Sequence, residues 1–138
     1  MNNSRFAIAI HILTLLELSK EELLASDYIA GSININSVLV RKEISELRKA
    51  GLIDSKEGKN GGFFLAKNAD SINFGELFKI IYPDPILSLA KNTPNPQCPI
   101  GKDINEHLAH LYIEAEKALV ERLKNYTLKE FCQKFTNK

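Results

Sequence analysis

Arg41, Lys42, Ser45 and Lys49 fall on one side of a short stretch whose other side, Val40, Ile44 and Leu47, is apolar at helical spacing. On a helix these cations and hydroxyls would stand in a row facing outward, where they can donate to phosphate oxygens and base edges. A helix of this size fits the major groove of DNA. Lys56, Lys59 and Asn60 follow in the run Lys56-Glu57-Gly58-Lys59-Asn60-Gly61-Gly62. That run reads as a tight turn with basic residues at its tip, able to reach the backbone or the minor groove. From 37 to 67 seven basic residues outnumber four acidic ones, whereas 17–27 sets Lys20 against Glu17, Glu21, Glu22 and Asp27. The whole chain is nearly neutral, at +1. One basic face on a body that otherwise repels polyanions fits this distribution, and so does an ordinary solvated surface.

Sulfur and imidazole offer a second chemistry. Cys98 lies between Pro96 and Pro99, just ahead of a long helical pattern. The partial positive charge of a helix N-terminus lowers a thiol pKa, so Cys98 is a candidate redox or electrophile sensor; an inert linker cysteine is the alternative. Cys132, between Phe131 and Phe135, reads as core. His107 and His110 stand three apart, too few donors for a metal, and are expected as surface or interface histidines. His11, in an apolar helix, is expected as a satisfied core residue. No nucleophile–base pair and no paired acids stand out, and no helix follows Gly58, Gly61 and Gly62 as a phosphate loop would require, so no enzyme is expected.

The elements that must hold these groups are legible in outline. Residues 4–18 have helical apolar spacing, with Ser4 as cap and Phe6, Ile10, Leu13 and Leu16 on one stripe. The segment from Ile8 to Leu18 is broken by His11 and Thr14 and has no cleavage-site pattern, which marks it as a core helix rather than a signal peptide. A second short helix at 26–32 has Ser26 as N-cap and Ile29 inward. Asn36 caps a third, and Gly51 ends it as a left-handed C-cap. Leu52-Ile53 and Phe63-Phe64-Leu65 are antiparallel partners, with Asn60-Gly61 as a hairpin signal whose two turn positions both take positive φ. A fourth helix runs from Asn73 to Tyr82, with Phe74, Leu77, Phe78 and Ile81 inward, before Pro83 and Pro85 break the chain.

Residues 91–99 form an irregular linker, and Ile100 to Lys124 is one long helix. Along it Ile104, Leu108, Leu111, Ala115 and Ala118 follow a near-heptad spacing, widened by Tyr112, Leu119 and Leu123. Such a helix needs a cover, and a second copy of itself is the expected one. Thr127 to Glu130 has the form of a capping box opening a last short helix. Two cysteines make no disulfide framework, so a reducing cytoplasm is expected, and no apolar run is long enough to span a bilayer.

Taken in order, Ser4-Arg5-Phe6-Ala7, Leu47-Arg48-Lys49-Ala50-Gly51-Leu52-Ile53, Gly58-Lys59-Asn60-Gly61-Gly62-Phe63, Leu65-Ala66-Lys67, Ile72-Asn73-Phe74 and Cys98-Pro99-Ile100-Gly101 resemble the bacterial Rrf-type winged-helix regulators, the group of IscR, NsrR and CymR. The resemblance covers nearly the whole chain. It implies a homodimer on a roughly palindromic double-stranded operator, long helices in the dimer contact, and a sensor site near the linker answering a redox or small-molecule effector. By position it places Ser37, Val38 and Arg41 at base edges, with Arg5 also among the DNA-binding residues. Two departures stand out. Wings of the family often carry arginine before the glycine, where this chain has Glu57; either Lys56 and Lys59 make the backbone contacts or the wing contact is weak. Cluster-binding members use three cysteines, where this chain has Cys98 and, further along, His107. No cluster is then expected within one subunit, while one shared between subunits stays open.

The sequence thus predicts a mainly α fold with a small β-hairpin. A winged helix-turn-helix unit at 1–83 is joined by a linker, 84–99, to a dimerisation helix and C-terminal helix at 100–138. Two functions compete: a dimeric, operator-binding repressor, and a winged-helix protein-interaction module that does not bind DNA.

Overall fold

The computed structural model describes residues 4–136. Its elements run α1 (Ser4–Leu18), α2 (Ser26–Ile33), α3 (Ser37–Lys49), β1 (Ile53–Lys56), β2 (Gly62–Leu65), a 3-10 turn (Ala69–Ser71), α4 (Phe74–Ile81), α5 (Pro99–Leu123) and α6 (Leu128–Thr136). α1 touches α2, α3, α4, α6 and β2, so it needs apolar residues on every side rather than one stripe. Ala9, Ile12, Leu13 and Leu16 are buried, while Phe6 and Ile10 of the expected stripe are half-buried. His11 is also half-buried, its Nε2 2.9 Å from Ser32 Oγ.

α2 and α3 are joined through Asn34, at φ 64°, in a left-handed turn between Ile33 and Ile35. The cap of α2 is Ala25 rather than Ser26, which is already helical. α3 opens as its sequence demands: Asn36 Oδ1 accepts from Val38 N at 2.7 Å. Val40, Ile44 and Leu47 are buried, and Gly51 turns the chain at φ 81°.

In the hairpin Ile53 faces Leu65 and Lys56 faces Gly62, leaving five loop residues, Glu57 to Gly61. Within those five residues the positive φ values fall at Gly58 and Asn60, so Asn60-Gly61 is not a two-residue turn. A tertiary pairing accounts for this. Phe63 exchanges backbone hydrogen bonds with Leu24 on its other edge, at 2.8 and 3.1 Å, and this fixes the register of β2.

α6 departs from the expected division of the chain. Leu128 and Cys132 lie in the same core as α1, α3 and α4. Leu128 N donates to Ile72 O and Phe74 N to Tyr126 O, both at 2.9 Å, tying the entry of α6 to the entry of α4. Thr127 Oγ1 accepts from Glu130 N at 3.2 Å, as a capping box requires. α4 and α5 approach closely at Gly75, where any Cβ would lie 2.6 Å from the Val120 carbonyl oxygen. No described helix is long and apolar enough to cross a membrane.

Candidate nucleic-acid interface

The buried stripe of α3 turns Val38, Arg41, Lys42, Ser45 and Lys49 outward together, and all five are exposed. Ser37, half-buried at the helix start, accepts a hydrogen bond on Oγ from Arg41 Nη1 at 3.3 Å. The guanidinium is thereby drawn toward the N-terminal turn. Lys49 pairs with Glu46 at 3.4 Å within the helix. At its far end Arg48 meets Asp54 of β1 at 3.6 Å, which ties the hairpin to the helix. Lys56, Glu57, Lys59 and Asn60 are all exposed. The two parts of the expected reading head are thus presented to solvent, with Glu57 among the wing cations.

Arg5 has a different place. Its Nε donates to Glu43 Oε2 at 2.9 Å, Nη2 to Oε1 at 3.0 Å, and Nη1 to the Ile81 carbonyl at 3.1 Å. Glu43 holds the guanidinium more firmly in its charged form. The residue expected at DNA is therefore a clasp joining α1, α3 and α4. Its partner, Glu43, is only 5 % exposed among the apolar residues of α3. Sequence reading counted Glu43 only among the four acids of residues 37–67 and missed this pairing. It also passed over Tyr28, 60 % exposed on α2, and Leu39, exposed beside Val38. For Tyr28 the signal was available: it lies on the side of α2 opposite the buried Ile29 and Ala30.

α5 has two sides and no buried residue. One side packs on α4 and carries Tyr112, Glu116 and Val120 into a groove of about 840 Å³ shared with Phe78, Leu87 and Leu89. Glu116 accepts from Ile86 N at 2.9 Å and from Leu87 N at 3.3 Å, which fastens the segment after α4 to this helix. The other side bears Ile104, Leu111, Ala115, Ala118 and Leu119, all exposed, with Leu108 half-buried. Tyr112, expected to widen the seam, also lines this groove.

Cys98 is the exposed N-cap of α5. The backbone N–H groups of Gly101 and then Ile100 hold its thiol below the ordinary value. Burial pushes the Cys132 thiol the other way, with the negative charge of Glu17 adding to the rise. His107 and His110 are exposed, and among the described residues no three His, Cys, Asp or Glu side chains converge to hold a metal ion.

The chain is similar to known proteins. The family model Rrf2, described as an iron-dependent transcriptional regulator, matches residues 2–134. YwnA of Bacillus subtilis, named for an HTH-type transcriptional regulator, is 37% identical over 130 residues, covering 94% of this chain and 96% of its own. The HTH-type transcriptional regulator NsrR of Oceanobacillus iheyensis is 32% identical over 128 residues, covering 93% of this chain and 85% of that protein. The crystal structure of a transcriptional regulator from Lactobacillus plantarum superposes with a TM-score of 0.84 at 26% identity, covering 96% of this chain and 90% of that one.

Proposed function

This chain belongs to the Rrf2 family of transcriptional regulators, and from that premise we propose that it acts as a homodimeric repressor that grips a roughly palindromic operator. α3 enters the major groove and the β-hairpin steadies it on the backbone. The observation that carries this reading is the outward row Val38, Arg41, Lys42 and Ser45 on α3, braced to the hairpin by Arg48 and Asp54. Phosphate contacts set orientation while base-edge contacts set sequence, so the two parts of the head should fail differently. Arg41→Ala should weaken selected sites by about 1–3 kcal/mol and relax sequence preference. Lys59→Ala should weaken all sequences alike and lower the salt slope by about one unit. Fluorescence anisotropy over a salt series reads both. Unchanged affinity in both variants would remove α3 and the wing from the binding surface.

Within one subunit the donors among the described residues do not make up an iron–sulfur cluster's set. Clusters are held by several thiolates; Cys98 is exposed at the head of α5, whereas Cys132 is buried within the core. We therefore read the regulator as one that senses through the Cys98 thiol itself. Its exposure and lowered pKa support this, since the thiolate is the reactive form. A peroxide would transfer one oxygen to the thiolate, giving a sulfenic acid and releasing hydroxide. The added bulk lies where the linker meets α5, and half-site spacing is geometrically strict. Mild peroxide should then release operator from the wild type and spare Cys98→Ser. Equal loss in both proteins, or none in either, would eliminate Cys98 as the sensor.

A further inference from the structure

The head of α3 presents more than cations. Val38 is 60 % exposed and stands on the same face as Arg41, Lys42 and Ser45. It makes no contribution to the core, unlike Val40 two positions further along. Its place is rigid: its N–H is held by Asn36 Oδ1 at 2.7 Å, and a β-branched side chain on a helix has essentially one rotamer. Arg41 is held too. Its bond to Ser37 Oγ brings the guanidinium back to the turn that carries Val38.

An apolar group at the head of a cationic reading face can pack on an apolar counterpart in the groove. Base edges offer one there, the 5-methyl group of thymine, while the arginine fork matches guanine O6 and N7. Val38 and Arg41 are separated by about 4.5 Å along the helix axis, at three residues of 1.5 Å rise. One base step is about 3.4 Å along a strand. The two side chains therefore address neighbouring base pairs.

We propose that each reading helix selects a guanine with a thymine within two base pairs of it, Arg41 donating to the guanine and Val38 packing on the thymine methyl. This rests on the DNA-reading role above and names what that role recognises.

The test begins by enriching binding sites for the full-length protein from a random DNA pool. The guanine read by Arg41 is the one where 7-deazaguanine, which lacks the N7 acceptor, weakens the wild type but not Arg41→Ala. Each thymine within two base pairs of it is then replaced by deoxyuridine, which removes only the methyl group. One replacement should weaken the wild type by about four-fold, the value of burying one such carbon. Val38→Ala should bind the thymine and uracil sites alike, with an unchanged circular dichroism spectrum because the residue is exposed. The inference is overturned if no such guanine is found, if the wild type is indifferent to uracil at every neighbouring thymine, or if Val38→Ala keeps the wild-type ratio. A pool that yields no enriched sequence would overturn the DNA-reading role as well. Enrichment without a methyl effect removes this inference alone.

Discussion

Replacing Arg5 with alanine will destabilise the protein by about 3 kcal/mol, measured by urea unfolding at neutral pH. Glu43 sits on the inner face of α3, with its side chain 6% exposed. Arg5 satisfies both of its oxygens, at 2.9 and 3.0 Å, and spends a further donor on the Ile81 carbonyl. Without the guanidinium a carboxylate is left buried among Val40, Ile44 and Leu47 with no cation. Breaking a buried pair from one side costs about 3–5 kcal/mol, and the lower end applies because Arg5 is 35% exposed and admits water. The same reasoning separates charge from packing. Glu43→Leu in the Arg5→Ala background should recover most of the loss, since an apolar residue there leaves nothing unsatisfied. A loss below about 1 kcal/mol for Arg5→Ala, or no recovery by Glu43→Leu, would show that the clasp does not bear on stability.

Replacing Leu111 with aspartate should convert the protein to monomers and reduce operator affinity by about 100-fold or more, since two linked half-site contacts become one. Leu111 is 58% exposed on the side of α5 that faces away from α4. In a lone chain aspartate there stays in water, and the fold should be intact. In a dimer seam it becomes a buried, unpaired charge, repeated by symmetry on both helices. Sedimentation reads the first effect, and circular dichroism checks that the monomer is folded. Gel shifts on a two-half-site operator against a single half-site separate loss of pairing from damage to α3. Wild-type protein that already sediments as a monomer at micromolar concentration would end the dimer reading, as would a Leu111→Asp variant that stays dimeric.

Much of this architecture is local and so was readable residue by residue. The stripe Val40, Ile44 and Leu47, the Asn36 cap and the turn at Gly51 depend on neighbours within a few positions. Three features were not legible. The Asn60-Gly61 pair marks a hairpin, but the loop spans Glu57 to Gly61 because Phe63 also pairs with Leu24, far back in the chain. Tyr112 widens the heptad-like stripe in sequence, yet it also lines the groove that α5 forms with α4 and the segment after it. Leu128 follows the long helix in sequence but folds back into the core around α1, carrying with it Cys132, whose burial alone was expected.

By itself, then, the sequence determined which segments are helices or strands and which face of α3 carries cations, since periodicity and capping are short-range physics. Which charges are free to meet a ligand was decided by the tertiary structure. Arg5 and Arg41 are the same residue type near helix starts, and no local rule distinguishes them. Arg5 meets a buried carboxylate 38 positions away and becomes part of the scaffold. Among the described residues Arg41 donates only to Ser37, one turn earlier, and stays exposed. A charge is withdrawn from solvent only where a partner offsets its desolvation, and that partner is set by how α1, α3 and α4 pack.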